Sequence, residues 1–204
     1  MKAKCLLPVL GLLLILLGAG NLGAVTIDFE TLSDSEMVTT QYAGFGVTFT
    51  NATALTAGIS LNEFEFPPNS GVNVVFDDGG EMNLTFSTPM ANVGAYFTYL
   101  APLTLSFFDS SNNLEGTVTS AFSSNLALSG DPGSSPNEFL NFSWASGISS
   151  VVISGDPAGG SFTMDDLTAA PLSVPIPEPG TMLLLGSGLI GMAGYGLRIL
   201  RSKN

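Results

Sequence analysis

The chain has 204 residues, a formal net charge of −12, a mean hydropathy of +0.41, one cysteine and no histidine. Its five cations are Lys2, Lys4, Arg198, Arg201 and Lys203, and every acid except Glu178 lies between Val25 and Pro177, so that block holds sixteen carboxylates and no cation. This excludes nucleic-acid binding, because phosphate contacts rest on Lys and Arg, and any mechanism that needs a His base, a Cys or Lys nucleophile or an Arg clamp.

Residues 1–24 read as a secretory signal peptide. Lys2 and Lys4 form a positive n-region, Leu6 to Leu17 an apolar h-region, and the small residues from Gly18 to Ala24 a cleavage site. The apolar core is shorter than the ~20 residues that span a bilayer. Removal of this segment takes Cys5 with it and leaves a chain with no disulfide.

Residues 25–170 read as one all-β domain of ordinary single-domain size. Period-2 alternation recurs along the block while helical periodicity does not. Val47 and Phe49, then Val72, Val74 and Phe76, then Leu84 and Phe86 are expected to face a core. Val93, Ala95, Phe97 and Tyr99 continue the pattern, followed by Leu103, Leu105 and Phe107. Leu140, Phe142 and Trp144, the run from Ile148 to Ile153, and Phe162 with Met164 complete it. Turn chemistry separates these runs: Asp77-Asp78-Gly79-Gly80 as a hairpin tip, Ser110-Ser111-Asn112-Asn113, and the stretch from Ser129 to Asn137. About ten short strands at this spacing predict an antiparallel β-sandwich of jelly-roll type. All fourteen Phe and the one Trp lie in the block, a composition that builds a core and that an acidic disordered stalk lacks.

The acids suggest calcium, a hard cation that takes six to eight oxygen ligands. In a jelly roll the first and last strands are neighbours, which would bring Asp28 and Glu30 towards Asp165 and Asp166. Tyr42, Tyr96, Tyr99 and Trp144 are open to two readings, stacking on sugar rings or packing in the core. A carboxylate pair alone suffices for glycoside hydrolysis, which keeps a small glycosidase as a distant alternative.

Residues 171–180 form a Pro-rich linker, 181–197 an apolar helix of membrane-spanning length, and 198–204 a basic tail. Arg198, Arg201 and Lys203 place that tail in the cytoplasm and the acidic block outside. Prolines on both sides of Glu178 keep the preceding segment extended, as a protease requires. The order Val174-Pro175-Ile176-Pro177-Glu178-Pro179, apolar helix, basic tail resembles the PEP-CTERM sorting signal of Gram-negative bacteria, with its core tripeptide at Pro177, Glu178 and Pro179. That resemblance implies recognition by an exosortase, removal of the helix after an inner-membrane stage, and delivery to the cell envelope or an extracellular matrix. The family is common in bacteria that make exopolysaccharide.

The block before the signal also looks like the β-sandwich domains that commonly precede it, through Ile27-Asp28-Phe29-Glu30, Val93-Gly94-Ala95-Tyr96-Phe97 and Phe162-Thr163-Met164-Asp165-Asp166-Leu167. The same features are similar to jelly-roll carbohydrate-binding modules, in which an early Glu and a late Asp hold a structural calcium. The expectation is therefore a non-enzymatic structural or adhesive domain supported by calcium. The alternative is a module that recognises an exopolysaccharide.

Overall fold

The computed structural model describes residues 23–172 and the pair Ser187–Gly188. Residues 1–22, 173–186 and 189–204 lie outside the described residues, and with them almost all of the expected signal peptide, the Pro177-Glu178-Pro179 motif, most of the sorting helix, and the basic tail. The chain divides into one unit ending at Pro171 and another beginning at Leu172. Among the described residues no helix is long and apolar enough to cross a membrane.

The domain is all-β and antiparallel. Its strands are β1 (Val25–Ile27), β2 (Val47–Thr50), β3 (Ala52–Thr56), β4 (Asn73–Asp77), β5 (Met82–Tyr99), β6 (Thr104–Phe108), β7 (Leu114–Thr119), β8 (Glu138–Ser154) and β9 (Phe162–Pro171). They form one hydrogen-bonded path, β3-β4-β9-β5-β8-β6-β7, with β1 on β9 and β2 on β5. β5 and β8 are 18 and 17 residues long, and each serves two layers. Residues 83–86 of β5 pair with β2 and residues 82–85 with 150–153 of β8, whose own far side pairs with β6. Residues 92–97 of β5 pair instead with 138–143 of β8 and, on the other side, with β9. The result is a β-sandwich made by folding one sheet over itself.

Local sequence explains where the long strands turn from one layer into the other. The β5–β8 register shifts between Thr85 and Met90 and again before Asn92, across a stretch containing Pro89. Proline offers no N–H to a ladder and is tolerated at such interruptions. On β8, Gly147 takes φ 96°, a conformation that suits glycine at a bend.

The alternating residues of both layers meet in one core. Leu84, Phe86, Leu105, Phe107, Val151 and Ile153 come from the first layer; Val93, Ala95, Phe97, Tyr99 and Met164 come from the second. β4 departs from the expected phase. Val75, not Val74, joins this core, and Asn73 and Asp77 share its buried phase. Val72 is exposed, whereas Val74 is buried on the opposite face and Phe76 half-buried there, because the excursion between β3 and β4 brings Leu61 and Phe66 over that side. Alternation alone does not distinguish a strand covered on both faces. Two further differences concern strand length and one turn. The described residues form nine strands, close to the expected number, but β5 and β8 are long, and Asp77 to Glu81 is a crossing between layers rather than a hairpin tip, since β4 and β5 do not pair.

Where the pairing of β8 with β5 ends, a side chain continues it. The Tyr99 N–H donates to Asn125 Oδ1 at 2.7 Å, and Asn125 Nδ2 donates to the Phe97 carbonyl at 2.9 Å. Asn125 is fully buried. Asn125→Ala leaves a buried donor and a buried acceptor without partners, so we expect it to lower unfolding free energy by about 2–4 kcal/mol. Urea denaturation should show the midpoint falling with an unchanged m-value.

Candidate functional site

The four aromatic residues open to both readings separate by face. Tyr99 is fully buried, its hydroxyl donating to Glu138 Oε2; burial, and then Glu138 itself, pushes that hydroxyl up to about 12. Tyr42 packs edge-on against Phe29 and Phe49 in the core. Trp144 is half-buried at the end of a stack in which Phe142 lies 4.7 Å from Phe107 and Trp144 lies 6.0 Å from Phe142. Its Nε1 is buried and makes no hydrogen bond. Tyr96 differs from all three. It stands between the inward Ala95 and Phe97, so it points away from the core, and its ring meets Phe139 of β8 at 4.9 Å.

Pairing of β1 with β9 aligns Ile27 with Leu167 and Val25 with Ala169, so the first and last strands are neighbours. Glu30, Asp165 and Asp166 thereby come to bear on one loop, residues 69–73. Glu30 Oε1 accepts from the N–H groups of Val72 (2.9 Å) and Asn73 (2.8 Å). Asp165 Oδ2 accepts from the N–H groups of Asn69 (2.8 Å) and Ser70 (2.9 Å), and its Oδ1 from the N–H of Asp166 (2.7 Å). Asp166 accepts from Asn69 Nδ2 and the Ser70 hydroxyl. Asp28 stays apart from the loop and caps the Glu30 N–H.

The loop is shaped for this grip. Gly71 takes φ 53°, and a Cβ there would stand 2.2 Å from Glu30 Cδ. Asn73 ties the other side down, its Nδ2 donating to the carbonyls of Phe29 and Leu32. The carboxylate oxygens therefore face N–H and O–H donors, and among the described residues no group of three or more acids, cysteines or histidines is placed to hold a metal ion.

A buried acid that the sequence reading placed at a turn tip performs the same task elsewhere. Asp77 is fully buried; Oδ1 accepts from the N–H groups of Ser161 and Phe162, and Oδ2 from the Ser161 hydroxyl. Burial raises its carboxyl above the usual range. Nothing in the local sequence marks Asp77 as different from Asp78, because its partners lie 84 and 85 residues away.

Asp165 carries a pH signature. Its residue is 2% exposed, and burial pushes its carboxyl up to about 6 against the pull of the Ser70 amide, with the charge of Asp166 adding to the rise. A carboxyl whose folded pKa exceeds its unfolded value binds protons more tightly when folded, so it favours the fold as pH drops through about 6 towards the unfolded value near 4. Asp77 acts in the same direction. We expect the thermal midpoint to rise between pH 7.5 and pH 5, and Asp165→Asn to flatten that rise. A midpoint that falls on acidification, or an unaltered slope in the variant, contradicts this assignment.

Comparison with known proteins adds two findings. The domain is similar to the K2 cleaved adhesin domain of Lys-gingipain (TM-score 0.46, 14% identity, 72% of this chain and 97% of that one). It is also similar to a DUF4465 family protein from Bacteroides caccae (TM-score 0.46, 12% identity, 72% and 99%) and to CBM35 from Paenibacillus barcinonensis (TM-score 0.39, 16% identity, 72% and 98%). No curated protein matches the sequence. Residues 175–201 match the PEP-CTERM protein-sorting motif, and the chain thus carries the mark of an exported protein sorted to the envelope by an exosortase.

Proposed function

We propose that this chain is a structural or adhesive component of the cell surface or extracellular matrix, with the β-sandwich as its working part and residues 175–201 as its address. The observation that carries the reading is the junction of the two. β9 ends at Pro171 and the sorting motif begins at residue 175, so the folded domain reaches almost to the processing signal. Val25 pairs with Ala169, so the chain enters and leaves the domain along one edge.

A non-enzymatic role is supported by the use made of the acids. Glu30, Asp77, Glu138 and Asp165 all accept hydrogen bonds from loop backbone, which suits carboxylates that hold structure rather than a pair poised for hydrolysis. Replacing Pro177 and Glu178 with Ala, in a host that has an exosortase, should leave the unprocessed chain in the membrane fraction. Normal processing of that variant removes the sorting half of the proposal.

Calcium support by Asp28, Glu30, Asp165 and Asp166 is decided by a separate measurement. The chain is melted in EDTA, then with millimolar calcium or magnesium. Since the backbone amides already occupy the oxygens of Glu30 and Asp165 that bear on the loop, we expect both cations to shift the midpoint equally, through screening of the acids. A rise with calcium alone, lost in Glu30→Gln, establishes a bound ion, because a ligand of the folded state stabilises it by mass action.

A further inference from the structure

We propose that the outer face of the second layer on its β8 side, where Phe139 is exposed beside the half-buried Tyr96, binds a neutral polysaccharide chain. The proposal rests on the matrix reading above for where such a polymer is met, and names what the domain would hold there.

The face is built by register. Tyr96 lies opposite Phe139 on β8, Gly94 opposite Asn141, and Asn92 opposite Ser143; on the other side of β5, Gly94 lies opposite Thr168. Phe139, near the start of β8, is 43% exposed. Gly94 is what allows the ring to settle: a Cβ there would stand 2.9 Å from Phe139 Cζ and 2.6 Å from Asn141 Cβ. The ring therefore reaches over bare backbone while keeping a large part of its surface in solvent. Beside it lie short polar groups. Asn92 Nδ2 donates to Ser143 Oγ at 2.8 Å, and the Thr168 hydroxyl donates to the Gly94 carbonyl at 3.0 Å. Asn141 is exposed, and its amide has no hydrogen-bond partner among the described residues.

An aromatic pair rimmed by amides and hydroxyls is amphipathic on the scale of one or two sugar rings. A pyranose presents a flat patch of C–H groups and a rim of hydroxyls, which such a surface can meet with stacking and hydrogen bonds together. Charge then selects among polymers. No Lys, Arg or His occurs between Val25 and Pro177, and Asp165 lies directly across from Tyr96 in the β5–β9 register, with Asp166 beside it. Uronate or sulfate chains would meet repulsion with nothing to offset it, and so would a second acidic copy of this domain. A cationic polymer would be drawn to the acids generally and would need no aromatic pair. One such pair gives weak binding per domain, which many copies in a matrix multiply through avidity.

The test is retention of the full chain, in mild detergent, on three immobilised polymers: a neutral glucan, alginate as the uronate, and chitosan as the amine. We expect retention on the glucan that is insensitive to salt, and none on alginate. Phe139→Ala and Tyr96→Ala should each lower glucan retention by about fivefold or more, while Phe139→Trp keeps or raises it. Circular dichroism and thermal melts of the same variants establish that they fold. Glucan retention unaltered by both Ala variants, alginate retained as well as glucan, no retention on glucan, or salt-sensitive retention on chitosan alone would each overturn the inference. Sorting is read separately by the Pro177 and Glu178 variants, so failure here leaves that reading standing.

Discussion

An unbalanced charge governs this domain. Sixteen carboxylates occupy the block from Val25 to Pro177 with no basic side chain among them, so an acid drawn towards the interior must be stabilised by dipoles. The backbone supplies them. Asp77 collects donors from the turn before β9, Asp165 from residues 69, 70 and 166, Glu30 from 72 and 73, and Asp131 from Ser123 and Ser124. Glu65 joins two loops by accepting from the N–H groups of Leu128 and Ser129. In each case a carboxylate supplies the acceptor that irregular backbone lacks, and that backbone supplies the partial positive charge the carboxylate lacks. The acid excess and the long irregular connections are thus two halves of one solution.

The two long strands carry the other half of the architecture. Because β5 and β8 pass through both layers, neither layer is a separate sheet, and the core between them is shared by residues only a few positions apart on the same strand. Met90 and Ile148, both buried, pair between the two register shifts and lie in the core where the strands turn. The outer edge of β3 is closed by the segment around residues 35–38, through Ser35 and Val38 donating to Ala54 and Ala52 and through Ala54 donating to Glu36. At the opposite end of the strand order β7 carries Glu115, a charge of the kind that discourages a further strand from adding.

Much of this was legible in the sequence wherever one face of a strand is buried and the other wet. Leu103 to Phe107 alternates because it has a single core to face, and Val93, Ala95, Phe97 and Tyr99 are found in the expected inward phase. β4 was misread because its second face is covered by a segment remote in the alternation pattern, which makes every position buried or half-buried and erases the period. The neighbourhood of Glu30 with Asp165 and Asp166 followed from the first and last strands being adjacent. The loop of residues 69–73 between them was invisible, because its contribution is made by backbone amides, which every residue but proline carries. Tyr96 is the converse case. Its outward position could be read from alternation with Ala95 and Phe97, but its partner Phe139 lies 43 positions away and is brought to it by strand register.

The same charge deficit that shaped the loops also determines what the surface can hold. A domain with no cation in its folded block cannot concentrate an anionic polymer, however well its shape fits, since each added sugar acid brings another uncompensated repulsion. Attraction must then come from contacts indifferent to charge, namely apolar stacking and neutral hydrogen bonds. Those are available beside Tyr96 and Phe139, where Asn92, Asn141, Ser143 and Thr168 supply neutral hydrogen-bonding groups next to the two rings. Taking acids into loop contacts thus does more than stabilise irregular backbone. It leaves uncharged amides and hydroxyls beside the Tyr96–Phe139 pair, and the composition of that patch, rather than the fold as such, limits the chemistry of its partner.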